Sequence, residues 1–455
     1  MTGELRFDVI VVGAGPAGEV CAGRLAEAGL KVAIVERELV GGECSYWACM
    51  PSKALLRPAQ LLAEVERVPG AHEAITGRLD VEAALRRRDE VIHDLDDASQ
   101  LPWLEQRGVV LVRGHGRLNG ERRVVVGAAT LTAERAVVVA VGSVAVLPGV
   151  PGLAQAAPWT SREATTAKAP PRRLIVLGGG VVAVELAQAW ATLGSQVTLV
   201  HRSASLISRE EPFARAQVAD ALRALGVDLR LATTVARAAR EGAEVVIELE
   251  GGEMLRADEV LVAAGRRPHT DDLGLETTGL TPGDPIAVDH HLQVAASPWL
   301  FAIGDVNGRA PLTHMGKYHA RVAADVICGR ATALRELGPP PRVIFTDPQV
   351  AASGHTLASA EAAGLDVRAV DVETSANAGA SFHGRNAPGT CRLVIDRERR
   401  VLVGATFTGP DVAELMHSAT VAIAGAVPLE DLAHAVPTFP TRTEVWLGLL
   451  EQLEP

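Results

Sequence analysis

A strand, a glycine turn, a helix and a second strand occur twice in this chain with the same internal spacing, and few folds accommodate that. The first copy runs from the apolar segment Phe7-Asp8-Val9-Ile10-Val11-Val12 through Gly13-Ala14-Gly15-Pro16-Ala17-Gly18 and a helical pattern to Gly29, then into Lys31-Val32-Ala33-Ile34-Val35-Glu36. The second runs from Arg173-Leu174-Ile175-Val176-Leu177 through Gly178-Gly179-Gly180-Val181-Val182-Ala183 to Gln196-Val197-Thr198-Leu199-Val200-His201-Arg202. Gly13 to Glu36 and Gly178 to His201 are both 23 positions. The first two glycines of such a turn let backbone N–H groups approach a pyrophosphate at a helix N-terminus. The third lets the helix pack close to the strand. Two dinucleotides are therefore expected. Glu36 ends its strand where an acid suits a free ribose 2′-hydroxyl, as in FAD or NAD. His201 and Arg202 put basic groups at the matching position of the second copy, which suits the 2′-phosphate of NADPH and ranks NADPH ahead of NADH.

Just past the first unit, Gly41-Gly42-Glu43-Cys44-Ser45-Tyr46-Trp47-Ala48-Cys49-Met50-Pro51-Ser52-Lys53 brings two cysteines close together. That pairing suggests a redox dithiol wired to a cofactor; two buried, inert thiols are the other reading. Residues five apart on a regular helix have Cα atoms about 8 to 9 Å apart, whereas a disulfide needs about 4.4 to 6.8 Å. The turn between them must be distorted if they bond. Pro51 is tolerated in a first helical turn, so a helix is expected to begin near Cys49, its positive end favouring a Cys49 thiolate. Zinc is disfavoured, because no second Cys/His pair at ligand spacing accompanies this one. Tyr46 and Trp47, between the cysteines, either line a substrate approach or pack inward.

A chain of 455 residues is too long for one core, so about three domains are expected. A net charge of -11 and the lack of a long basic cluster argue against a nucleic-acid partner. No stretch of eighteen apolar residues predicts a membrane span, and the N-terminus carries no signal-peptide pattern, so a cytoplasmic protein is expected. Five scattered cysteines do not form a secreted disulfide framework. Of the 44 basic residues only Lys31, Lys53, Lys168 and Lys317 are lysine. A chain that otherwise writes arginine keeps a lysine four positions after Cys49, and a compact ammonium does what a guanidinium cannot.

Between the two units lie a charged helical region, Leu79 to Gln106, and strand-like runs at Val109 to Arg113, Arg122 to Val126 and Ala136 to Val141. Prolines at 148, 151, 158, 170 and 171 precede the second unit. Leu300 to Asp305 reads as another strand leading into a turn, and Gly338-Pro339-Pro340-Pro341 precedes a last region of strands and helices.

With these residues in view, the chain resembles the class I pyridine nucleotide-disulfide oxidoreductases, such as dihydrolipoyl dehydrogenase, glutathione reductase and mercuric reductase, over nearly its whole length. The resemblance rests on both glycine turns, the Gly41 to Lys53 segment, Ala264-Gly265-Arg266-Arg267-Pro268, Ala302-Ile303-Gly304-Asp305 and Phe345-Thr346-Asp347-Pro348. It implies an α/β fold with two Rossmann-like dinucleotide-binding domains and a C-terminal α+β dimerisation domain. The expected segments are 1–155 (FAD, first part), 156–275 (NAD(P)), 276–337 (FAD, second part) and 338–455 (interface of a homodimer). It implies that Cys44 meets substrate and Cys49 faces the flavin. Lys53 is expected to pair with Glu185 beside the flavin, where a positive charge favours the reduced form, with Glu36 on the FAD ribose, Asp305 on the ribityl chain and Gly142-Ser143 along the flavin. Further cofactor contacts are expected at Gly13, Gly15, Gly18, Gly42, His115, Leu312, Thr313 and His314 for FAD. For the nicotinamide nucleotide they are expected at Gly178, Gly180, Val182, Glu185, His201, Arg202 and Gly265. NAD(P)H would thus reduce the Cys44–Cys49 pair through FAD, and the pair would reduce a small-molecule or thiol/disulfide acceptor.

The disulfide-reducing members of that family carry a histidine before Pro-Thr near the C-terminus, with a glutamate five positions later. Here the segment is His434-Ala435-Val436-Pro437-Thr438-Phe439-Pro440-Thr441-Arg442-Thr443-Glu444. Aligning on Pro440 puts Phe439 at the histidine position with Glu444 at the expected spacing; aligning on Pro437 puts Val436 there. Either way no imidazole stands at the site, which argues against a plain glutathione or lipoamide reductase, and no cysteine pair follows Cys391 as mercuric reductase would have. Three other readings stay open: direct flavin-to-quinone reduction, chemistry like that of the carboxylating 2-oxopropyl-coenzyme M reductase, and a redox-sensing nucleotide-binding protein.

Overall fold

The computed structural model describes residues 4–385, 387 and 389–453. The chain forms two compact units, Met1–Pro51 with Arg88–Val146 and Gly265–Arg335, and Ser52–Arg87 with Leu147–Ala264 and Glu336–Pro455.

In the first unit the apolar run after the N-terminus becomes the strand Glu4–Val12 at the centre of a sheet. It lies between Val32–Glu36 on one side and Ala129–Val139 on the other, all parallel. Val110–Arg113 and Ser297–Ala302 extend the sheet outward, again in parallel. Side chains of a strand alternate between faces, so each face of a sheet covered on both sides needs its own core. Val9 and Val11 join the helix-covered core with Cys21, Ala22, Leu25 and Ala320, whereas Ile10 and Val12 join Val124, Leu131 and Leu300 on the other face. Each valine, leucine or isoleucine among these stabilises the fold by about 1.5 to 3 kcal/mol on full burial. The strand expected at Ala136 to Val141 starts earlier and stops at Val139. Its N-terminal half is held by the antiparallel strand Arg123–Val126 on one edge and by Glu4–Phe7 on the other, pairings that the apolar pattern did not reveal.

The second unit repeats the arrangement. Arg173–Leu177 lies between Gln196–Val200 and Glu259–Val262, and Asp228–Arg230 follows Gln196–Val200, all parallel. Val9 faces Val32, and Leu174 faces Val197. The spacing seen in the sequence is therefore the strand register of two sheets with the same strand order. The helix Val181–Thr192 is largely apolar and buries Trp190 completely, along with the polar Glu185 and Gln188. The same unit holds a three-stranded antiparallel sheet, Val235–Glu241, Glu244–Leu249 and Met254–Ala257. It also holds a five-stranded antiparallel sheet, from Arg342–Ile344 to Val367–Glu373, covered by the helices Val412–Gly425 and Val445–Glu451. This is the α/β architecture with a C-terminal α+β region expected from the sequence.

The charged region from Leu79 onward forms the helices Val81–Val91 and Leu101–Gln106. No helix among the described residues is long and apolar enough to cross a membrane.

Candidate active site

In both sheets the glycine turn leaves the carboxyl end of the central strand, where the strand order reverses, and this is the crevice in which open α/β sheets bind ligands. Gly13 has φ +104°, and a Cβ there would lie 2.5 Å from the Ala140 carbonyl oxygen, so only glycine is accommodated. Gly178 repeats this, with φ +139° and a Cβ that would lie 2.3 Å from the Ala263 oxygen. A Cβ on Gly18 would sit 1.9 Å from the Gly13 oxygen, which is the close packing expected of the third glycine. Gly15 and Gly180 differ: no atom lies within 4 Å of where their Cβ would be. Each is the residue before a twelve-residue helix, Pro16–Glu27 and Val181–Thr192, whose first N–H groups have no partner within the helix. Open space over a helix N-terminus, twice, is a cradle for a phosphate group, and the residues present fit two dinucleotides.

Glu36 accepts hydrogen bonds from the N–H groups of Ala14 at 2.8 Å and Glu38 at 2.7 Å, which aligns its carboxylate with the first glycine turn. In the second unit His201 occupies the corresponding place, and its ring lies so close over Gly179 that a Cβ there would meet the ring at 2.4 Å. Burial, assisted by the Arg202 guanidinium, holds His201 below its ordinary value, so the ring is neutral at pH 7 and the cation at this edge is the exposed Arg202. Val182 is half-buried in the first turn of its helix.

The cysteine segment is built on the first cradle. Gly42 has φ +59°, and its Cβ would lie 2.8 Å from the Gly15 Cα, which explains the paired glycines before Cys44. A five-residue helix, Gly42–Tyr46, carries Cys44; it breaks at Trp47, and a new helix, Cys49–Arg67, starts at the second cysteine. The helix start expected near Cys49 and the distorted turn before it are both present. The two cysteines are thiols here and are hydrogen-bonded to each other. That bond, then burial, pushes the Cys44 thiol upward, while a hydrogen bond from Thr313 and the charge of Lys317 act in the opposite direction. Thr313 Oγ1 also lies 3.5 Å from Cys49 Sγ. Thr313 opens the helix Thr313–Ile327 after Leu312, and His314 beside it is exposed. Tyr46 is 1 % exposed, so it packs inward, whereas Trp47 is half-buried.

Asp305 lies in the short turn Gly304–Asn307 and accepts a 2.6 Å hydrogen bond from the Ser143 hydroxyl. Arg266 completes this group by donating from Nε to Ser143 Oγ at 2.9 Å and from Nη2 to Ser143 O at 2.6 Å, with Glu43 3.5 Å away. Arg266 stood in a motif of the sequence but was not expected to reach Ser143; no local pattern links positions this distant. Gly142 and Gly265 adopt φ +71° and +127° with open space around them. The His115 ring bonds the Asp272 carbonyl at 2.8 Å.

In the second unit Lys53 Nζ lies 2.7 Å from Glu185 Oε2 and over the Phe345 ring at 4.8 Å. Glu185 is 3 % exposed, and its other oxygen accepts the Phe345 N–H at 2.9 Å. At the C-terminus Phe439 is 76 % and Val436 78 % exposed, and His434 is exposed as well. Glu444 accepts the Gly379 N–H at 3.1 Å.

Two dinucleotide cradles and a closely spaced pair of thiols define a flavin-linked disulfide oxidoreductase fold. Residues 7–321 match the family described as pyridine nucleotide-disulphide oxidoreductase, and residues 340–449 match its dimerisation domain. Dihydrolipoyl dehydrogenase 3 of Pseudomonas aeruginosa is 35 % identical over 96 % of both chains. A mercuric reductase of Acidithiobacillus ferrooxidans is 32 % identical over 96 % of this chain and 81 % of its own. Among solved structures, LpdA of Mycobacterium tuberculosis superposes with a TM-score of 0.87 at 24 % identity, covering 99 % of this chain and 100 % of its own, a likeness of fold. The chain belongs to the pyridine nucleotide-disulphide oxidoreductase family, whose members are FAD-dependent enzymes that use NAD(P)H.

Proposed function

We propose that the enzyme carries electrons from NADPH, ahead of NADH, to a small-molecule or thiol/disulfide acceptor through Cys44 and Cys49, without the histidine base usual in its family. The observation that carries this reading is the hydrogen-bonded Cys44–Cys49 pair capped by Thr313, in the unit that holds the first cradle. FAD, when bound, supplies two-electron transfer between the nicotinamide nucleotide and the dithiol. Its holding residues would be Gly13, Gly15, Gly18, Glu36, Ser143 and Asp305. Lys53, fixed by Glu185, would hold a positive charge beside it. Residues 1–155 and 276–337 would form the FAD domain, 156–275 the NADPH domain and 338–455 the interface of a cytoplasmic homodimer.

The Cys44 thiolate attacks one sulfur of a disulfide acceptor, which forms a mixed disulfide and expels a thiolate. Cys49 then attacks the Cys44 sulfur, which closes the Cys44–Cys49 disulfide and expels the second thiolate. Two electrons leave the dithiol, and water protonates both products. With phenylalanine or valine at the histidine position, the roughly 100- to 10,000-fold contribution of a positioned acid–base group is forgone, so acceptors with acidic leaving thiols are favoured.

Steady-state oxidation of NADPH against disulfides and quinones tests the reading. Cys44→Ser should abolish turnover of disulfides and leave that of quinones; undiminished disulfide turnover would overturn it and leave direct flavin-to-quinone transfer. Arg202→Glu should lower kcat/KM for NADPH relative to NADH by roughly tenfold or more, the size of a lost hydrogen bond between charged groups.

A further inference from the structure

Glu19 and Lys317 have no part in the chemistry above. Glu19 lies in the first turn of the helix Pro16–Glu27, whose N-terminus faces the first cradle. Among the described residues its carboxylate makes no hydrogen bond or ion pair. The groups that act on it are the Lys317 ammonium, which favours its charge, and the Glu36 carboxylate, which opposes it. The Tyr46 phenol feels the charge of Glu19; its oxygen is buried without a hydrogen-bond partner among the described residues, and burial together with Asp97, Glu19 and Asp96 holds it up at about 12.

Lys317 arrives from the helix Thr313–Ile327. Two contacts register this helix against the helix of Glu19. Ala17 Cβ lies 3.3 Å from where a Gly316 Cβ would be, and Arg24 pairs with Asp325 at 3.1 Å. The helices therefore run in the same direction, with Lys317 level with the turn that holds Glu19. Helical side chains lean toward the N-terminus of their own helix, so the Lys317 ammonium reaches back toward the cradle and Thr313. Its charge is felt by both Glu19 and Cys44. It is exposed, and it is one of four lysines beside forty arginines.

Glu19 and Glu36 already put two carboxylates beside a cradle built for a phosphate group, and a pyrophosphate adds two more negative charges. A helix N-terminus offsets only about half an elementary charge. We propose that Lys317 is a phosphate-binding cation for the flavin dinucleotide and that Glu19 takes up a proton from water when the dinucleotide binds, so that retention of FAD weakens as pH rises. Burial holds the Glu19 carboxyl up at about 7 before any phosphate arrives, with Lys317 restraining the rise and Glu36 adding to it, so this proton is exchanged near neutrality. The inference rests on FAD occupying the first cradle.

The test is the FAD dissociation constant of the holoenzyme, read from flavin fluorescence on dilution at pH 6.0, 7.5 and 8.5, conditions that run from about 1 unit below to about 1.5 units above a pKa of about 7. Wild type should lose FAD more readily at each step. Lys317→Gln should weaken retention by about tenfold or more at all three, and Lys317→Arg by less than about threefold, since it keeps the charge. Glu19→Gln should match wild type at pH 6.0 and bind about tenfold more tightly at pH 8.5, where the native carboxylate is charged. Unchanged retention in Lys317→Gln, or a Glu19→Gln variant that follows the wild-type pH dependence, overturns the proposal. If Lys317→Gln fails to fold, the Glu19→Gln comparison alone decides in the same way. Gly15→Val separates this from the underlying reading: a variant that still holds FAD overturns the cradle itself, whereas loss of FAD there with unchanged retention in Lys317→Gln overturns only the role of Lys317.

Discussion

Two carboxylates, Glu185 buried and Glu19 half-buried, illustrate how neighbours decide what a side chain does. Glu185 is ionically paired and also accepts a backbone N–H, so both oxygens are satisfied. Glu185→Gln keeps an acceptor for Phe345, whereas Glu185→Ala leaves that N–H and the Lys53 ammonium without it. Urea denaturation should therefore show Glu185→Ala less stable than Glu185→Gln by about 1 to 3 kcal/mol; equal stability would mean that the Phe345 bond contributes nothing. Glu19 is the opposite case, half-buried without such bonds and held up at about 7 by loss of solvation. A carboxyl that binds its proton more tightly folded than unfolded stabilises the fold fully only below its unfolded value, and that stabilisation is lost as pH rises through the folded value. Glu19→Gln should therefore gain melting temperature over wild type between about pH 4.5 and 7 and hold a constant difference above that. A difference that shrinks with rising pH would contradict the burial of this carboxyl. Lys53 was legible from the sequence because a lone lysine stands out in an arginine-rich chain. Its contact with Phe345 was not, because ring contacts across the fold leave no local trace.

At the scale of the element, the glycine turns separate structural from cofactor requirements. Gly13→Ala combines a positive φ with a collision against Ala140 O, and it should cost more than about 1 kcal/mol and lower the yield of folded protein. Gly15 has φ −71° and open space beside it, so Gly15→Val should fold with a near-native circular dichroism spectrum and melting curve but without bound flavin. If both variants retained flavin equally, the turn would not be the phosphate cradle. These turns were readable in sequence because their conformation requires glycine whatever the rest of the fold does. The N-terminal half of the strand Ala129–Val139 was not readable, since its alternation is blurred where it serves two partner strands at once. The GGxC spacing had a structural reason that only the fold shows: Gly42 rests on Gly15.

For the whole molecule, the match to a dimerisation domain and the exposure of Val436 and Phe439 lead to one expectation. Light scattering should give about twice the chain mass for wild type, and Val436→Glu with Phe439→Glu should shift the protein toward monomer, because burying an unpaired charge at an interface costs several kcal/mol. A wild-type monomer would remove the homodimer from the reading. The sequence by itself determined the two dinucleotide units, their common register and the cysteine pair, because each is a local pattern imposed by glycine stereochemistry, strand alternation or short spacing. Only the tertiary structure decided which other distant groups meet: Lys53 with the Phe345 ring; Arg266 with Ser143, 123 positions back; and Glu444 with the Gly379 N–H. Such contacts depend on how whole strands and helices are brought together, and neighbouring residues in the chain carry no record of them.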